Sequence, residues 1–484
     1  MAEKRSPAEI ALARHQAPAW FDEAKLGIFV HWGLFSVPGW APADADPGVN
    51  AAVEDFRTGT NAYAEWYENS LRVEGSPTAV WHQENYGDAP YSDFAETFEK
   101  ALEAFDPTSW AALFAEAGAK YVVLTTKHHD GYLLWPSEHH NPHREHWQTD
   151  RDVVGDVAAA VRGAGLRFGA YYSGGYDWTF EAGPVDSVID LIGTLPLSEE
   201  YARYVDAHFR DLVERYQPSV LWNDIGMPRK EGIAELLLDY LEAVPDGTVN
   251  DRFNAVPERI VRGVRVPAIN GALDQLAGRL TKRNKDKPRS TKAKIRGSWS
   301  DFATPEYTSF DDIVRFKWET CRGLGKSFGY NRSEEDRHHL TVEDLITSFV
   351  DIVSKGGNLL LNVGPDGDGT IPELQASRLR ALGAWLAVNG EGIYATRPWV
   401  RASGTTAEGL DLRFTQADGA LYVHVFGDPS GTVSLPRVPD LGDVTLLGHN
   451  RLDSTRTVDG VQVSWPEGVP SAPVHVLRIG ERMQ

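Results

Sequence analysis

Short apolar runs that end in polar or glycine-rich turns recur along most of the chain. They are "KLGIFVHWG" (Lys25–Gly33), "KYVVLTTKHHDG" (Lys120–Gly131), "LRFGAYYSGG" (Leu166–Gly175), "SVLWNDIG" (Ser219–Gly226), "GTVNDRF" (Gly247–Phe253), "IRGSWSDF" (Ile295–Phe302), "GKSFGYN" (Gly325–Asn331) and "GNLLLNVGP" (Gly357–Pro365). Between them lie segments of helical period: Thr108–Ala117, Val153–Ala164, Ser198–Tyr216, Gly232–Ala243, Thr341–Ser354 and Glu373–Asn389. Near-continuous apolar strands alternating with helices indicate an α/β fold with a parallel sheet buried on both faces, and eight such strands predict a (β/α)8-like TIM barrel. After "IYATRPW" (Ile393–Trp399) the period changes to two. "LDLRFT", "LYVHVF", "TVSLP", "VQVSW" and "VHVLRI" are separated by Gly, Pro, Asp and Ser turns, which predicts a small antiparallel β-sandwich. The expected organisation is a catalytic domain over residues 1–398 and a sandwich over 399–484, which either buttresses it, shapes the site entrance or binds carbohydrate, buttressing being the favoured role.

A barrel of this kind exposes its chemistry at the C-terminal ends of its strands. Those ends read His31, His128, His129, Tyr171, Asp224, Arg252, Asp301 and Asn331. Strand alternation sends Trp222 and Asp224 to one face and Asn223 to the other. Asp224 is there either a nucleophile or base, or a turn residue closing a strand. The adjacent histidines His128 and His129 could ligate a metal, but there is no HExxH motif and the first strand carries a single His before Trp, so hydrogen bonding is the favoured role and no metal is expected. Glu65 and Trp66 in "YAEWYENS" and Glu306 in "DFATPEY" offer further polar and aromatic groups on the following loops; read singly, Glu65 is also a helix-face acid, Arg252 an ion-pair partner and Glu306 an exposed loop acid.

The formal net charge of −21 sets the field of the whole molecule against nucleic acid or an anionic membrane as partner. No run of apolar residues reads as a signal peptide or a membrane span, and the single cysteine, Cys321, fits a reducing compartment; a cytoplasmic location is expected. The stretch "TKRNKDKPRSTKAKIR" (281–296) sets eight basic residues against one Asp and reads as a solvated loop rather than an anion-binding arm. With 15 Trp, 17 Tyr and 19 Phe, many of the Trp beside charged residues or His, the chain is stocked with groups that suit the apolar and polar faces of a sugar ring.

Taken in order, "WFDEAKLGIFVHWGLFSVPGWAP", "YAEWYENS", "YVVLTTKHHDGYLLWPS", "YYSGGYDW", "VLWNDIG", "NDRF", "TPEYTSF", "KWETCRGLGKSFGYN" and the segment from "GGNLLLNVGPDGDG" to "GIYATRPW" resemble the alpha-L-fucosidases of glycoside hydrolase family 29 from Trp20 to Trp399. The resemblance implies a retaining exo-glycosidase with no cofactor that removes terminal fucose from fucosylated carbohydrate. It implies that Asp224 is the nucleophile and Glu306 the acid/base, about 5–5.5 Å apart. Glu65, Asp301, Glu54, Asp55 and Glu68 are the alternatives for the second role. By the same resemblance His31, Glu65, Trp66, His128, His129, Tyr171, Trp222 and Arg252 form the fucose pocket, and Phe328 is a wall against the sugar's methyl. A non-catalytic fucose-binding protein and a metal-dependent barrel hydrolase are the other readings. The long segments Gly39–Pro90 and Arg259–Arg296 are compatible with a homo-oligomer whose neighbour shapes the site.

Overall fold

Strands form where the residues are apolar on both faces. In the computed structural model, which describes residues 6–45, 59–180, 183–187, 189–266, 268–273, 276 and 299–480, β1 (Leu26–Val30), β2 (Tyr121–Lys127), β3 (Arg167–Ser173), β4 (Val220–Asp224), β5 (Thr248–Val249), β6 (Trp318–Gly323) and β7 (Gly357–Val363) make one parallel sheet in the order β5-β4-β3-β2-β1-β7-β6. Helices cover its outer face. All six predicted helices form within a residue of their expected ends, for example Glu199–Tyr216 and Val342–Ser354. The caps explain the starts: the Ser198 and Thr341 hydroxyls accept from Tyr201 N and Asp344 N, satisfying otherwise orphaned first-turn donors.

Two expected strands are corrected. The run Gly325–Asn331 is a loop, and the strand of that unit is the preceding "WETCRG" of β6. Its apolar signal is broken by Glu319 and Arg322, because Glu319 sits fully buried on the inner face of the barrel. Residues 295–298 of the sixth run lie outside the described residues, and the rest forms no regular strand. Instead Asp301 N donates to Val249 O, Ala303 N to Lys317 O and Tyr307 N to Cys321 O, with parallel bridges Asn250–Phe302, Ala303–Trp318 and Glu306–Cys321. The segment from Asp301 to Tyr307 thus spans the gap between the edges β5 and β6. Pro305 within it has no N–H, so the pairing is intermittent.

Inside the ring, Phe29, Tyr121, Val123, Tyr171, Val220, Trp222, Phe302, Cys321 and Leu360 form a closed cluster. The barrel is therefore filled, and a substrate has access only above this plug. The C-terminal part begins with strand Arg397–Thr405. A six-stranded antiparallel sheet faces a three-stranded one, made of Thr432–Pro436, Ser454–Arg456 and Gly460–Ser464, over a core that includes Leu412, Phe414, Val423, Val463 and Leu477. It docks on the outer helices of the barrel: Trp385 Nε1 donates to Val474 O, and Arg413 pairs with Asp351 at 2.6 Å.

Candidate active site

β4 ends in Asp224, whose neighbour across the ladder is Ser173 of β3. One carboxylate oxygen, Oδ2, accepts from the Tyr171 hydroxyl at 2.8 Å; the other, Oδ1, accepts from Arg252 Nη1 at 2.5 Å and from Ile225 N at 2.8 Å. Arg252 reaches in the other direction as well, through Nη2 to Glu306 Oε1. One guanidinium therefore joins the two carboxylates, and they stand within its span of each other. Arg252 is in turn held by Thr304 Oγ1, to which its Nε donates, and Thr304 Oγ1 donates to Asp251. Beneath lies the Trp222 indole, with the guanidinium carbon 4.6 Å from its ring and Tyr171 stacked against it at 5.5 Å and 25°. Burial pushes the Asp224 carboxyl up, but the charge of Arg252 and the bonds from Tyr171 and Arg252 prevail and hold it below the ordinary aspartate range. Asp224 is an anion in this setting.

Backbone strain marks both carboxylates. The residue after Asp224, Ile225, has φ 62°, and the residue after Glu306, Tyr307, has φ 50°. Side chains of these types avoid that region, at a cost on the order of 1–3 kcal/mol each, and the surrounding structure must over-determine them. Such strain clusters where side chains are aimed for chemistry.

The histidines line the opposite wall, and their hydrogen bonds set which nitrogen carries the proton. Asn362 Nδ2 donates to Phe328 O, so its Oδ1 is the acceptor for His31 Nδ1 at 2.7 Å. Ser173 Oγ donates to Tyr176 O, so it accepts from His129 Nδ1 at 2.7 Å. In both rings the N–H is on Nδ1 and Nε2 is left as an acceptor. His129 Nε2 lies 3.9 Å from Asp224 Oδ2. His128, its ring 4.0 Å from that of His129, has a buried Nδ1 with no partner among the described residues. Burial lowers His31 to about 4 against the bond from Asn362, and burial with neighbouring positive groups holds His128 and His129 well below the ordinary value. The wall is neutral and polar, suited to hydroxyl groups rather than to an ion.

Glu65 enters from the loop that follows β1. Its Oε2 accepts from Gly329 N at 2.8 Å and Ser327 Oγ at 3.0 Å, and burial raises its carboxyl to about 7 against those bonds. Gly329 allows a close approach there: a Cβ would stand 3.0 Å from the Phe35 ring and 3.1 Å from Glu65 N, tight enough that the neighbours would have to yield by a few tenths of an ångström. Next to it Phe328 lies against His31 at 5.0 Å, Tyr307 at 5.4 Å and Tyr63 at 6.0 Å, and Trp66 meets His129 edge-on at 5.4 Å.

Asp224, Glu306, His31, Glu65, Trp66, His128, His129, Tyr171, Trp222, Arg252 and Phe328 are thus brought together at the C-terminal end of the barrel. Three other residues are not. Asp301 lies at the N-terminal end of β5, bound to His15 Nδ1, Thr248 Oγ1 and Val249 N, because the segment it belongs to runs up from the barrel floor. Asn331 ties down the loop at Ala41 through both its amide atoms, and Glu68 is held by Arg72 and Arg144. Glu54, Asp55 and the basic stretch 281–296 lie outside the described residues. Among the described residues no group of three or more His, Cys, Asp or Glu side chains is arranged to hold a metal ion, and no helix is long and apolar enough to cross a membrane. Sequence reasoning missed Asn362, Ser173, Ser327 and Thr304, which orient the site residues. A signal existed for two of them: Asn362 and Ser173 are polar residues at the C-terminal ends of the apolar runs "LLLNV" and "FGAYYS".

A filled parallel barrel with two carboxylates joined at its C-terminal rim, beside a neutral wall of histidine and aromatic rings, has the groups that glycoside hydrolysis by paired carboxylates uses. Comparison with known proteins narrows this. The family model described as Alpha-L-fucosidase matches residues 2–391, and the chain belongs to that family. It is 32% identical to human plasma alpha-L-fucosidase over 91% of this chain and 84% of that protein. Among solved structures, it is 40% identical to Thermotoga maritima alpha-fucosidase in complex with fucose (97% of this chain, 98% of that one, TM-score 0.79). It is 39% identical to a Thermotoga maritima alpha-L-fucosynthase in complex with a difucosyl azide (98% and 99%, TM-score 0.83).

Proposed function

We propose that this glycoside hydrolase is a retaining, exo-acting alpha-L-fucosidase that releases terminal fucose from fucosylated oligosaccharides or glycoconjugates through a covalent intermediate. The observation that carries the reading is the Asp224–Arg252–Glu306 bridge at the barrel rim. In the first step an Asp224 oxygen bonds to the anomeric carbon while the bond to the leaving oxygen breaks and Glu306, in its acid form, gives that oxygen a proton. In the second, Glu306 takes a proton from water, the water oxygen bonds to the anomeric carbon and Asp224 departs. Arg252 and Tyr171 keep Asp224 ionised before attack and take up its charge when it leaves.

The wall opposite supplies recognition. The free Nε2 atoms of His31 and His129 accept sugar hydroxyl protons, His128 packs beside them, and Glu65 adds an acceptor. Phe328 offers an apolar surface to a C6 methyl, where a hexose hydroxyl would lose its hydration without return. The similar Thermotoga structures holding fucose and a mechanism-based inhibitor support both the sugar and the chemistry.

The test is to follow hydrolysis of 4-nitrophenyl α-L-fucoside by proton NMR. First-formed α-fucose, mutarotating later to β, is expected; first-formed β-fucose would replace retention by inversion. Azide added to Glu306→Ala is expected to restore turnover and give α-fucosyl azide, since azide then attacks the β-linked intermediate on Asp224.

A further inference from the structure

Below the rim, the inner face of β6 carries a carboxylate that the reaction as written does not use. Glu319 is fully buried among aromatic rings. Its Oε1 accepts from the Trp222 indole N–H at 3.3 Å, and its Oε2 accepts from the Tyr121 hydroxyl. Trp222 is the platform under both groups that grip the nucleophile: Tyr171 stacks on its ring and the Arg252 guanidinium rests on it. Both Asp224 oxygens are therefore held by side chains that share one indole, and that indole is tied by its only hydrogen-bonding atom to Glu319.

Resting on the fucosidase reading of the site, we propose that Glu319 is a positioning residue: through the Trp222 N–H it fixes the platform that sets Arg252 and Tyr171 on Asp224. Glu319 touches neither reacting carboxylate. An isolated buried carboxylate is costly, and here two donors offset that cost. Burial moves the Glu319 carboxyl up to about 7 against the bonds from Tyr121 and Trp222. A Trp N–H only donates, so Oε1 must accept whether or not Glu319 is ionised. The contribution is then geometric rather than one of charge, which separates two conservative variants. Glu319→Gln keeps an acceptor for the indole and loses the charge. Glu319→Asp keeps the charge and draws the acceptor back by one methylene.

The groups facing Glu319 are Tyr121 from β2, Trp222 from β4, and Cys321 and Lys317 from its own segment; those around Asp224 are Arg252, Tyr171, His31, His128, His129, Tyr176 and Cys321, with Glu306 across the Arg252 guanidinium. Weakening the hold of Arg252 and Tyr171 raises the Asp224 pKa, so the acidic limb of kcat/KM moves to higher pH. Deleting a buried negative charge moves it the opposite way. The expected result is a kcat about tenfold lower for Glu319→Asp with the limb moved up, Glu319→Gln within about threefold of wild type, and loss of the Asp effect in a Trp222→Phe background. A Gln variant more impaired than the Asp variant would overturn the proposal, as would additive Asp and Phe effects. Titration of Asp224 by carbon NMR in the free protein, with Asp224→Asn for assignment, reads the same shift without turnover. An inactive wild type would thus sink the fucosidase reading, while this titration still decides the role of Glu319.

Discussion

Asp224 and Asp301 are both buried aspartates at opposite ends of the same barrel wall, and both have their two oxygens occupied. At the floor, Asp301 takes His15 on one oxygen and Thr248 Oγ1 and Val249 N on the other, closing the gap beside β5. At the rim, Asp224 takes a guanidinium, a phenol and one backbone N–H, and the guanidinium continues to a second, partly exposed carboxylate. Partner count does not separate structure from chemistry here. What separates them is the end of the strand, and whether the partners lead to another reactive group or back into the scaffold.

The sharpest contrast comes from removing each carboxylate. Asp224→Ala is expected to lower kcat on the order of 10⁴-fold or more in a steady-state assay with 4-nitrophenyl α-L-fucoside while the Tm falls little. A variant that keeps a tenth of the activity would break the comparison. Glu306→Ala should lose on the order of 10²–10⁴-fold with this activated leaving group, less than Asp224→Ala, and recover partly with azide. Asp301→Asn reverses the pattern: urea unfolding should show a loss of about 1–3 kcal/mol, because a buried acceptor is exchanged for a group that must also place two protons. Its kcat should stay within about threefold of wild type.

The smallest effect sharpens the rim's neutrality. Buried His31, held at about 4 against an ordinary 6.5, refuses a proton that the unfolded chain accepts. Its contribution is nearly whole well above pH 6.5 and is lost as pH falls through 6.5 towards 4, so the stability advantage of wild type over His31→Asn should shrink by about 1.5 kcal/mol between pH 6.5 and pH 5. Denaturant curves at the two pH values check this, and a constant difference would mean that His31 is protonated in the fold.

Much of the fold was legible because strands buried on both faces read as unbroken apolar runs; β1 to β4 and β7 did so. β6 did not, since Glu319 and Arg322 break its run, and the closing segment did not, since Pro305 and isolated bridges leave no periodic signal. The site divides in the same way. Asp224, His31, His128, His129 and Tyr171 announce themselves as polar ends of apolar strands. Glu306 sits in "ATPEY" with no such frame, and only the family resemblance assigned it. Supporting contacts stay hidden because their partners are far apart in the chain, as with His31 and Asn362, 331 positions apart.

The central claim is that Asp224 attacks the sugar. The direct measurement is to incubate the protein with a 2-deoxy-2-fluoro-fucosyl fluoride, digest it and map the modified peptide by mass spectrometry. The account predicts one fluorofucosyl adduct on the peptide carrying "VLWNDIG", with the label on Asp224 and none in Asp224→Asn. A label on Glu306 or any other residue, or turnover of the reagent without an adduct, would contradict it.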